Sequence, residues 1–593
     1  MFILGLSFFY HDSAAVLLED GMLVAAAEEE RFSRIKHDHG FPKLAIQFCL
    51  KQAGISANDL DYVVFYEKPL VKFERILMTA LGTFPKSWRA FSEAMIAWFD
   101  EKLWIKNLLL EGVGVSPEKI LFIDHHHSHA ASTFFASPFK EAAILTLDGV
   151  GEWTTATMGY GRASWSNGEE NKIVISHEQQ FPHSLGLLYS AFTAFLGFEV
   201  NEGEYKVMGM APYGETHFVD KIDQLYKIYD DGSFWLNMDY FSYHYSAEQT
   251  YNKKFTKLFG QPRRHEAEFF TPKTNKDIDP HSTKAIENQY YADIAASIQL
   301  VTEEIILKMA NVLHKQTGSK RLCLAGGVAL NSKANGRLLA ETPFDELFIQ
   351  PAAGDSGGAL GAALYTYHVL LHQPRRFVQE HCYWGSSYNE DEILQSIQAK
   401  GFNFERIDDD EKIIERAVDN ILDGKVVGWF QGRFEWGPRA LGNRSIMADP
   451  RRAEMKDIVN SKIKFREPFR PFAPVILEHE ATRYFPTLAE SNLQYPPRFM
   501  LVVYPWDDEL GQQVPAVNHL GTGRLQTIRQ EWNPRYFRMV EQFGQATGVP
   551  VLMNTSFNLR GEPIVTTPTN ALNTFGNSGI DTLVMENYLV TKP

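Results

Sequence analysis

The sequence predicts an α/β fold divided between two domains. At 593 residues the chain is too long for a single hydrophobic core. Its hydrophobic content of 44% is that of an ordinary globular protein. Two strand–loop–strand patterns and one strand that leads through a Gly-Gly turn into a helix indicate the α/β class.

The first strand–loop–strand pattern occupies the start of the chain. Apolar runs at 2–7, 13–18 and 22–27 predict three strands, with Glu19-Asp20-Gly21 as a hairpin turn. A polar loop that contains His11 and Asp12 separates the first two strands. Near residue 142 the theme recurs: a strand at 142–147, a loop from Asp148 to Gly151 and a returning strand at 153–159. We interpret the two patterns as a weak internal duplication, typical of the actin-like ATPase and sugar-kinase fold.

A third element joins these two halves. The apolar run 320–324 predicts a strand, and Gly326-Gly327 follows it before a helix that starts near Ser332. Paired glycines let a ligand approach the backbone, and the helix start offers N–H groups to an anion such as a nucleotide phosphate. The polar stretch 240–282 is interpreted as an insertion or lid outside the core, and 368–379 as a linker region.

Two histidines and two aspartates from three separated segments predict a metal site. His125 and His129 are four residues apart, so on a helix they share one face and can bind the same ion. Asp148 ends the strand at 142–147, and Asp355 lies at a loop-to-helix turn. A histidine pair or an Asp-Gly turn alone is commonly structural, and His126 leaves the register open. The joint occurrence of all three segments favours a mixed N/O site for Fe(II), Mn(II) or Zn(II).

Charge and cysteine content narrow the function classes. The formal net charge is −15, which argues against a general nucleic-acid binder. Three isolated cysteines exclude C-x-x-C zinc ribbons and make a disulfide scaffold a poor interpretation, in keeping with a reducing cytoplasm. The N-terminus lacks a signal-peptide pattern, and no apolar run is long enough to span a bilayer. We therefore expect a cytoplasmic protein without a membrane partner.

The C-terminal part contains a basic window at 431–470. It holds ten basic and five acidic residues, a net charge of +5 within an acidic chain. Because the basic residues alternate with Gly, Pro, Phe and Trp, a pocket wall for polyphosphate is favoured over a solvated face. The glycine turn before Arg524 and the strand that runs into Asn554 and Ser556 suit the same pocket.

Ten ordered landmarks resemble the NodU/CmcH-type O-carbamoyltransferases over essentially the whole chain. The landmarks are Tyr10–Ala15, Ala27–Phe32, Asp124–Ser132, Leu147–Glu152, Pro182–Gly186, Gly203–Gly209, Gly326-Gly327, Gly354–Gly358, Gln431–Arg433 and Asn554–Asn558. The resemblance implies an actin-like, TsaD-like domain at 1–370 with a variable insertion at 215–285. It further implies a linker at 371–381 and a YrdC-like α/β domain at 382–593.

The same resemblance implies a two-step reaction and its residues. The YrdC-like domain converts carbamoyl phosphate and ATP, with Mg²⁺, to carbamoyl-adenylate, and the TsaD-like domain transfers the carbamoyl group to a hydroxyl with the help of a divalent metal, usually iron. The implied metal ligands are His125, His129, Asp148 and Asp355. The implied nucleotide and carbamoyl-phosphate residues are Arg433, Arg439, Lys464, Arg470, Arg524, Asn554 and Ser556, and those for carbamoyl-adenylate are Gly149, Gly151, Lys206, Gly326, Gly327 and Asn331.

The catalytic base and the acceptor stay open at this point. His11 matches the family's N-terminal active-site histidine, and its ordinary pKa suits proton transfer, with Asp12 as the alternative base. The acceptor is expected to be a small-molecule alcohol, either a natural product or a sugar, and a homodimer is one possible assembly. The alternatives are a hydrogenase-maturation carbamoyltransferase, which needs the missing zinc fingers, a tRNA threonylcarbamoyl-adenosine enzyme, and a non-catalytic actin-like ATP sensor.

Overall fold

The computed structural model describes residues 1–274, 277–488 and 495–593. The strands are β1 (Phe2–Ser7), β2 (Ala14–Glu19), β3 (Met22–Glu28), β4 (Tyr62–Phe65), β5 (Ile120–Phe122), β6 (Glu141–Leu147), β7 (Thr154–Arg162), β8 (Lys172–Gln180), β9 (Tyr226–Ile228), β10 (Phe234–Leu236), β11 (Arg321–Ala325), β12 (Glu346–Ile349), β13 (Asn403–Arg406), β14 (Val427–Phe430), β15 (Arg444–Ala448), β16 (Ala473–Leu477), β17 (Val503–Pro505), β18 (Thr522–Arg524), β19 (Gln526–Ile528), β20 (Val551–Ser556), β21 (Thr582–Met585) and β22 (Tyr588–Thr591).

The α-helices alternate with these strands. They are α1 (Glu30–Ser33), α2 (Lys43–Ala53), α3 (Pro69–Thr83), α4 (Trp88–Asp100), α5 (Ile105–Leu109), α6 (His125–Phe134), α7 (Leu185–Phe195), α8 (Glu204–Met210), α9 (Val219–Ile222), α10 (Lys253–Phe259), α11 (Thr283–Thr317), α12 (Ser332–Glu341), α13 (Asp355–Tyr365), α14 (Glu390–Lys400), α15 (Asp410–Leu422), α16 (Met455–Ile458), α17 (Ala481–Tyr484), α18 (Tyr495–Arg498), α19 (Pro534–Thr547) and α20 (Pro568–Gly576). The α/β class predicted from the sequence is therefore confirmed. Within the described ranges, no helix has the length and apolar character that crossing a membrane requires.

The first unit, Met1–Val24 with His39–Val378, contains two five-stranded sheets. Their strand orders are β3-β2-β1-β4-β5 and β8-β7-β6-β11-β12. In each sheet the central strand is antiparallel to the hairpin strand beside it and parallel to the two strands on its other side. The two sheets thus repeat one topology, and the duplication predicted from the two loops is present.

Helices α6 and α13 lie against each other because glycine removes the side chain at their crossing. A Cβ on Gly361 would lie 1.7 Å from the carbonyl oxygen of Ser128, and one on Gly5 would lie 2.0 Å from that of Ala359. Only glycine permits backbones to approach this closely. The amino ends of α6 and α13 therefore meet beside the first sheet, and each carries predicted metal ligands.

The interpretation of 240–282 as a segment outside the core is wrong at its apolar positions. Phe255 and Phe259 of α10 are fully buried. The ring of Phe255 lies 5.1 Å from Phe192 and 5.5 Å from Phe195 in centroid separation. Because the stretch is polar overall, its composition does not predict that these two aromatic residues pack against α7 as part of the core. Residues 275 and 276 lie outside the described ranges.

The second unit, Gln379–Pro593 with Ala25–Asp38, is built on an eight-stranded mixed sheet. Its strand order is β13-β22-β21-β14-β15-β20-β16-β19, and β17 and β18 form a separate two-stranded ribbon. Apolar side chains of α15 and α19, such as Ile413 and Phe543, pack with Trp429 and Met447 of the sheet in one buried core.

The short segment Ala25–Asp38 joins the second unit through several hydrogen bonds. Arg31 donates from Nη2 to the carbonyl oxygen of Gly437 at 2.6 Å, and Glu28 accepts from the N–H of the same glycine at 2.8 Å. Arg34 donates to the carbonyl oxygens of Pro563 and Ile564 at 2.7 and 2.6 Å. No pattern in the sequence predicts that Ala25–Asp38, which lies within the predicted 1–370 domain, belongs to the C-terminal unit.

Candidate functional site

Four buried donors from α6, the end of β6 and the start of α13 converge in the first unit. His125, His129, Asp148 and Asp355 each offer one ligand atom, and these four atoms lie within 4.8 Å of one another. The two histidine Nε2 atoms are 3.0 Å apart. The separations from an Nε2 atom to a carboxylate oxygen run from 3.3 to 3.9 Å.

These separations fit a common cation. Donors about 2.1 Å from one ion are about 3.0 Å apart when they are octahedral neighbours and somewhat further apart in tetrahedral geometry. Burial acts to raise the pKa of Asp148, but the hydrogen bond with His125 and the charges of His129 and His125 outweigh it and hold that pKa below its usual range. Two imidazoles and two carboxylates form a donor set for a divalent first-row metal. The residues present fit the predicted metal.

The local sequence around Asp148 fixes the geometry of this cluster. The N–H of Gly327 donates to Oδ1 of Asp148 at 2.9 Å. A Cβ on Gly151 would lie 2.8 Å from the ring of His125, so the loop can close over the histidine only with glycine there. Gly326 has φ +95°, and a Cβ on it would lie 2.2 Å from the carbonyl oxygen of Leu147. Gly149 follows Asp148 directly, and a Cβ on it would meet only the hydroxyl of Tyr10, at an ordinary contact distance of 3.8 Å.

Carboxylates and a phenol surround the ligands. Glu152 accepts from the N–H of His125 at 3.0 Å and from that of Lys68 at 2.8 Å, so it caps the amino ends of α6 and α3. Burial raises the pKa of Glu152 above its ordinary value. Tyr66 donates its hydroxyl proton to Oδ2 of Asp355 at 3.2 Å. Such outer partners orient metal ligands.

The open register of the histidine run is settled by geometry. Both ring nitrogens of His126 are engaged elsewhere, Nδ1 with the hydroxyl of Thr146 at 2.7 Å and Nε2 with the carbonyl oxygen of Thr154 at 2.9 Å. His127 lies 3.7 Å from Asp124 at the surface side of the helix. The structure therefore brings His125 and His129, and neither of their neighbours, to the four-donor cluster.

The ring of His11 lies between two hydrogen-bond acceptors. Its Nδ1 lies 2.8 Å from Oδ2 of Asp12, and its Nε2 lies 3.1 Å from the carbonyl oxygen of Asn201. A carbonyl oxygen and a carboxylate can only accept, so both ring nitrogens donate. Burial acts to lower the pKa of His11, but the hydrogen bond and charge of Asp12 outweigh it and raise the pKa to about 9. The ordinary pKa assumed from the sequence is therefore wrong.

Two further residues predicted for carbamoyl-adenylate have structural partners. Lys206 forms a 2.9 Å ion pair with Glu266. The side chain of Asn331 caps α12 by accepting from the N–H of Ala334 at 3.1 Å, and its amide also exchanges hydrogen bonds with Gln299 at 3.0 and 3.2 Å. Asn331 therefore fixes the end of the loop that carries Gly327 through these side-chain hydrogen bonds.

The second unit gathers five cations in one place. Burial and the charges of Arg439, Arg466 and Arg470 hold the pKa of Arg524 well below its ordinary value. Burial and the charges of Arg466 and Arg470 likewise hold the pKa of Lys464 well below its ordinary value. Cations that lower one another's pKa lie close together, and such a concentration of positive charge is suited to bind an anion. We call Arg439, Lys464, Arg466, Arg470 and Arg524 the cation cluster.

The remaining residues predicted for the nucleotide pocket divide into two groups. Ser556 contacts the cluster, since Lys464 Nζ lies 3.2 Å from its hydroxyl and also donates to its carbonyl oxygen. Asn554 donates from Nδ2 to Gln526 at 2.6 Å and to the carbonyl oxygen of Ala440 at 3.1 Å. Arg433 instead donates to the carbonyl oxygens of Trp384 and Gly385 at 2.6 and 2.7 Å, which makes it a loop anchor.

Sequence reasoning missed three residues that the structure places at these centres. Arg466 stood among the ten basic residues of the window without a motif to distinguish it. Glu152 is the last residue of the landmark Leu147–Glu152, and its role as a cap for two helices depends on tertiary contacts that the sequence does not show. Tyr66 follows a short buried strand, and its contact with Asp355 spans 289 positions of sequence.

Comparison with known proteins agrees with this division into two units. The model of the carbamoyltransferase N-terminus matches residues 2–364, and that of the carbamoyltransferase C-terminus matches residues 418–592. An uncharacterized protein of Synechocystis is 46% identical over all of this chain and 96% of its own length. The nodulation protein NolNO of Sinorhizobium fredii is 38% identical over 98% of this chain and 79% of its own length.

A further relative covers somewhat less of the chain. The nodulation protein NolO of Bradyrhizobium diazoefficiens is 36% identical over 79% of this chain and 79% of its own length. The two family models together span most of the sequence, including both the four-donor cluster and the cation cluster. The chain therefore belongs to the carbamoyltransferase family.

Proposed function

We propose that this carbamoyltransferase is an O-carbamoyltransferase that works in two steps through carbamoyl-adenylate. In the first step carbamoyl phosphate, ATP and water give carbamoyl-adenylate, phosphate and pyrophosphate. In the second, an acceptor hydroxyl attacks the carbamoyl carbon, the bond from that carbon to the AMP oxygen breaks, and the hydroxyl proton leaves. The observation that carries the proposal is the presence, on one chain, of a buried four-donor cluster and a separate, partly buried cation cluster.

The cation cluster supports the first step. Triphosphate and carbamoyl phosphate bring several negative charges, and fixed cations stabilise the charge that develops during transfer of a phosphoryl or nucleotidyl group. Lys464 is buried and Arg524 is half-buried, so both act in a medium where their charges are less screened than in bulk water. Binding of an anion relieves the mutual repulsion of these cations, which adds to affinity.

The four-donor cluster supports the second step. A divalent metal bound by His125, His129, Asp148 and Asp355 supplies a Lewis acid that orients phosphate and polarises a carbonyl oxygen. Fe²⁺ is our first choice, with Mn²⁺ and Zn²⁺ as alternatives for the same donors. Glu152 and the N–H of Gly327 hold the ligands in place, Gly151 lets the loop close over His125, and Gly149 leaves room beside the ligands.

His11 handles the proton in this proposal. It takes up the hydroxyl proton at Nε2 only after that nitrogen has lost its own proton, because both ring nitrogens donate in the structure. Asp12 then holds the imidazolium that forms. The acceptor is an alcohol of small-molecule type, a natural product or a sugar, and we propose a cytoplasmic location. We further propose that the first unit is actin-like, which its duplicated sheets support, and that the second is YrdC-like.

The test separates the two steps by mutation. Pyrophosphate and AMP release from ATP would be measured with and without carbamoyl phosphate, on metal-replete protein without acceptor. We expect carbamoyl-phosphate-dependent pyrophosphate in the wild type and in His129→Ala, and its loss in Arg524→Met. His129→Ala should bind Fe²⁺ at least about 100-fold more weakly by metal analysis. ATP turnover indifferent to carbamoyl phosphate would overturn the proposal and favour the ATP-sensor reading.

A further inference from the structure

Helices α3 and α4 expose an unusual number of large apolar side chains. Eight of them within the range 70–104 are between 53% and 72% exposed. They are Leu70, Met78, Leu81, Phe84, Trp88, Ile96, Phe99 and Trp104, which we call the apolar helix-pair face. Scattered apolar residues on a surface are ordinary, but a concentrated set marks an interaction site.

The two helices carry the same stripe. On α3 the exposed apolar residues stand at Leu70, Met78 and Leu81, and on α4 at Trp88, Ile96 and Phe99, with spacings of eight and eleven positions in both. At about 100° per residue, either set fits within an arc of about 80°. Each helix therefore has one narrow apolar stripe that faces away from the rest of the unit.

The side of α3 that faces inward is charged, the reverse of an ordinary surface helix. Lys72 is buried in an ion pair with Glu67 at 2.8 Å, and Arg75 donates to the carbonyl oxygen of Gly151 at 2.8 Å. These contacts fix α3 to the loop of the four-donor cluster. Between the helices, Phe73 and Trp98 pack with ring centroids 5.4 Å apart. The pair is thus held firmly from within, while its apolar stripes are left at the surface.

The size of the face matches one side of a stable dimer. A large apolar or aromatic side chain has about 200 Å² of surface, so eight that are more than half exposed present roughly 900 Å². A standard interface buries about 800 Å² on each partner, whereas the largest apolar patch of a monomer is about 300–600 Å². The face is therefore large enough to drive association by itself.

The charges around the face favour a second copy of this chain over a lipid surface. The range 69–104 holds five basic and four acidic residues, a net charge of +1, and Arg89 pairs with Glu93 at 3.0 Å and with Glu248 at 2.7 Å. Anionic membranes attract basic segments, and the whole chain carries −15. A two-fold dimer needs only one patch that is complementary to itself, and the matched stripes of α3 and α4 meet that need.

We propose that the apolar helix-pair face is a two-fold homodimer interface, in which α3 of one copy lies against α4 of the other. The proposal does not depend on the carbamoyl-transfer steps. It predicts that the protein is a dimer at micromolar concentration and that charge introduced into the stripes dissociates it.

The experiment is sedimentation velocity on the full chain and two variants. The wild type should sediment with twice the chain mass of 67.5 kDa. Leu81→Glu/Ile96→Glu should sediment as a monomer, with dimer affinity weakened at least about 100-fold, because each copy would bury two unpaired charges at the interface. Ile286→Glu is the matched control: Ile286 is 59% exposed on α11, outside the face, and this variant should remain a dimer.

Two further measurements keep the outcome clear. Thermal unfolding should show all variants folded, and hydrogen exchange of the wild type should show protection of α3 and α4 that increases with protein concentration. A monomeric wild type, a double variant that stays dimeric, or exchange in α3 and α4 that is independent of concentration would overturn the proposal. Co-sedimentation of the wild type with vesicles of phosphatidylcholine and phosphatidylglycerol at 3:1, lost in the double variant, would instead assign the face to a membrane.

Discussion

The backbone N–H of Gly327 donates to Oδ1 of Asp148 at 2.9 Å, and Oδ2 of that carboxylate lies 3.3 Å from Nε2 of His125. One oxygen is thus fixed by the peptide backbone while the other faces the histidines. The loop after β11 therefore orients a ligand on the loop after β6, and the parallel pairing of these two strands brings the loops together.

The first prediction concerns Gly326→Ala. The new Cβ would lie 2.2 Å from the carbonyl oxygen of Leu147 at a φ of +95°, so the loop must shift and Gly327 with it. We expect the free energy of unfolding to fall by roughly 3 kcal/mol and metal affinity to drop. Gly54→Ala is the control, since it has a φ of +67° but open space around it, and should cost about 1 kcal/mol without an effect on metal. Denaturant unfolding and metal titration measure both; equal effects of the two variants would contradict the argument.

A second prediction concerns Glu152. Glu152→Ala removes the acceptor for the N–H groups of His125 and Lys68, and we expect a loss of about 2 kcal/mol in stability together with weaker metal binding. Glu152→Gln keeps an acceptor oxygen and should retain most of the stability and most of the metal affinity. Asn389→Ala, which removes the capping box of α14, is the control and should lower stability by about 1 kcal/mol while metal binding is unchanged. Full metal affinity in Glu152→Ala would show that the cap does not position His125.

The third prediction is a pH dependence through His11. Because the folded pKa is raised to about 9, the charged ring adds stability that is fully present below the unfolded value near 6.5 and is lost as pH rises through about 9. If the neutral ring accepts the hydroxyl proton, the transfer rate should rise with pH up to about 9. Asp12→Asn removes the group that raises this pKa, so the rise should move to lower pH. His217→Gln, at another histidine paired with a carboxylate, should leave the pH–rate profile unchanged.

Cation crowding supplies the fourth prediction. Since neighbouring cations and burial disfavour the charge on Arg524, Arg524→Met should raise the unfolding midpoint of the ligand-free protein by about 2–4 °C while it lowers pyrophosphate release at least about 100-fold. Arg451→Met is the matched control from the same basic window. Arg451 pairs with fully buried Asp449 at 2.7 Å, so its loss should lower the midpoint and leave adenylation intact. Differential scanning calorimetry with and without pyrophosphate measures the unfolding midpoints of both variants. A lower midpoint for Arg524→Met than for the wild type would contradict the repulsion argument.

The four-donor cluster could be predicted from the sequence because its geometry is mostly local. The four-residue spacing of His125 and His129 fixes their common face once a helix forms, and Asp148 is carried by a strand end that the apolar pattern reveals. The spacing could not show that His126 lies outside the cluster. That depends on the hydrogen bond between the His126 ring and the hydroxyl of Thr146 on β6. Whether the four donors hold a metal is a prediction that the geometry supports.

The cation cluster was predictable as a region but not residue by residue. A window rich in arginine does not reveal which guanidinium groups are bound to backbone carbonyl oxygens in the folded protein. Arg444 is buried over the ring of Phe430 at 3.7 Å and donates to backbone carbonyl oxygens, and Arg433 anchors a loop, whereas Arg466 joins the crowded set. These differences arise from folding of the eight-stranded sheet, which a one-dimensional pattern does not contain.

The excursion of Ala25–Asp38 into the second unit has a practical consequence. A fragment that begins at Gln379 would lack Arg31 and Arg34, whose guanidinium groups satisfy the carbonyl oxygens of Gly437, Pro563 and Ile564. The gene cannot therefore be cut once to yield two autonomous modules. A graft of the C-terminal half onto another protein must therefore carry Ala25–Asp38 with it to keep these hydrogen bonds.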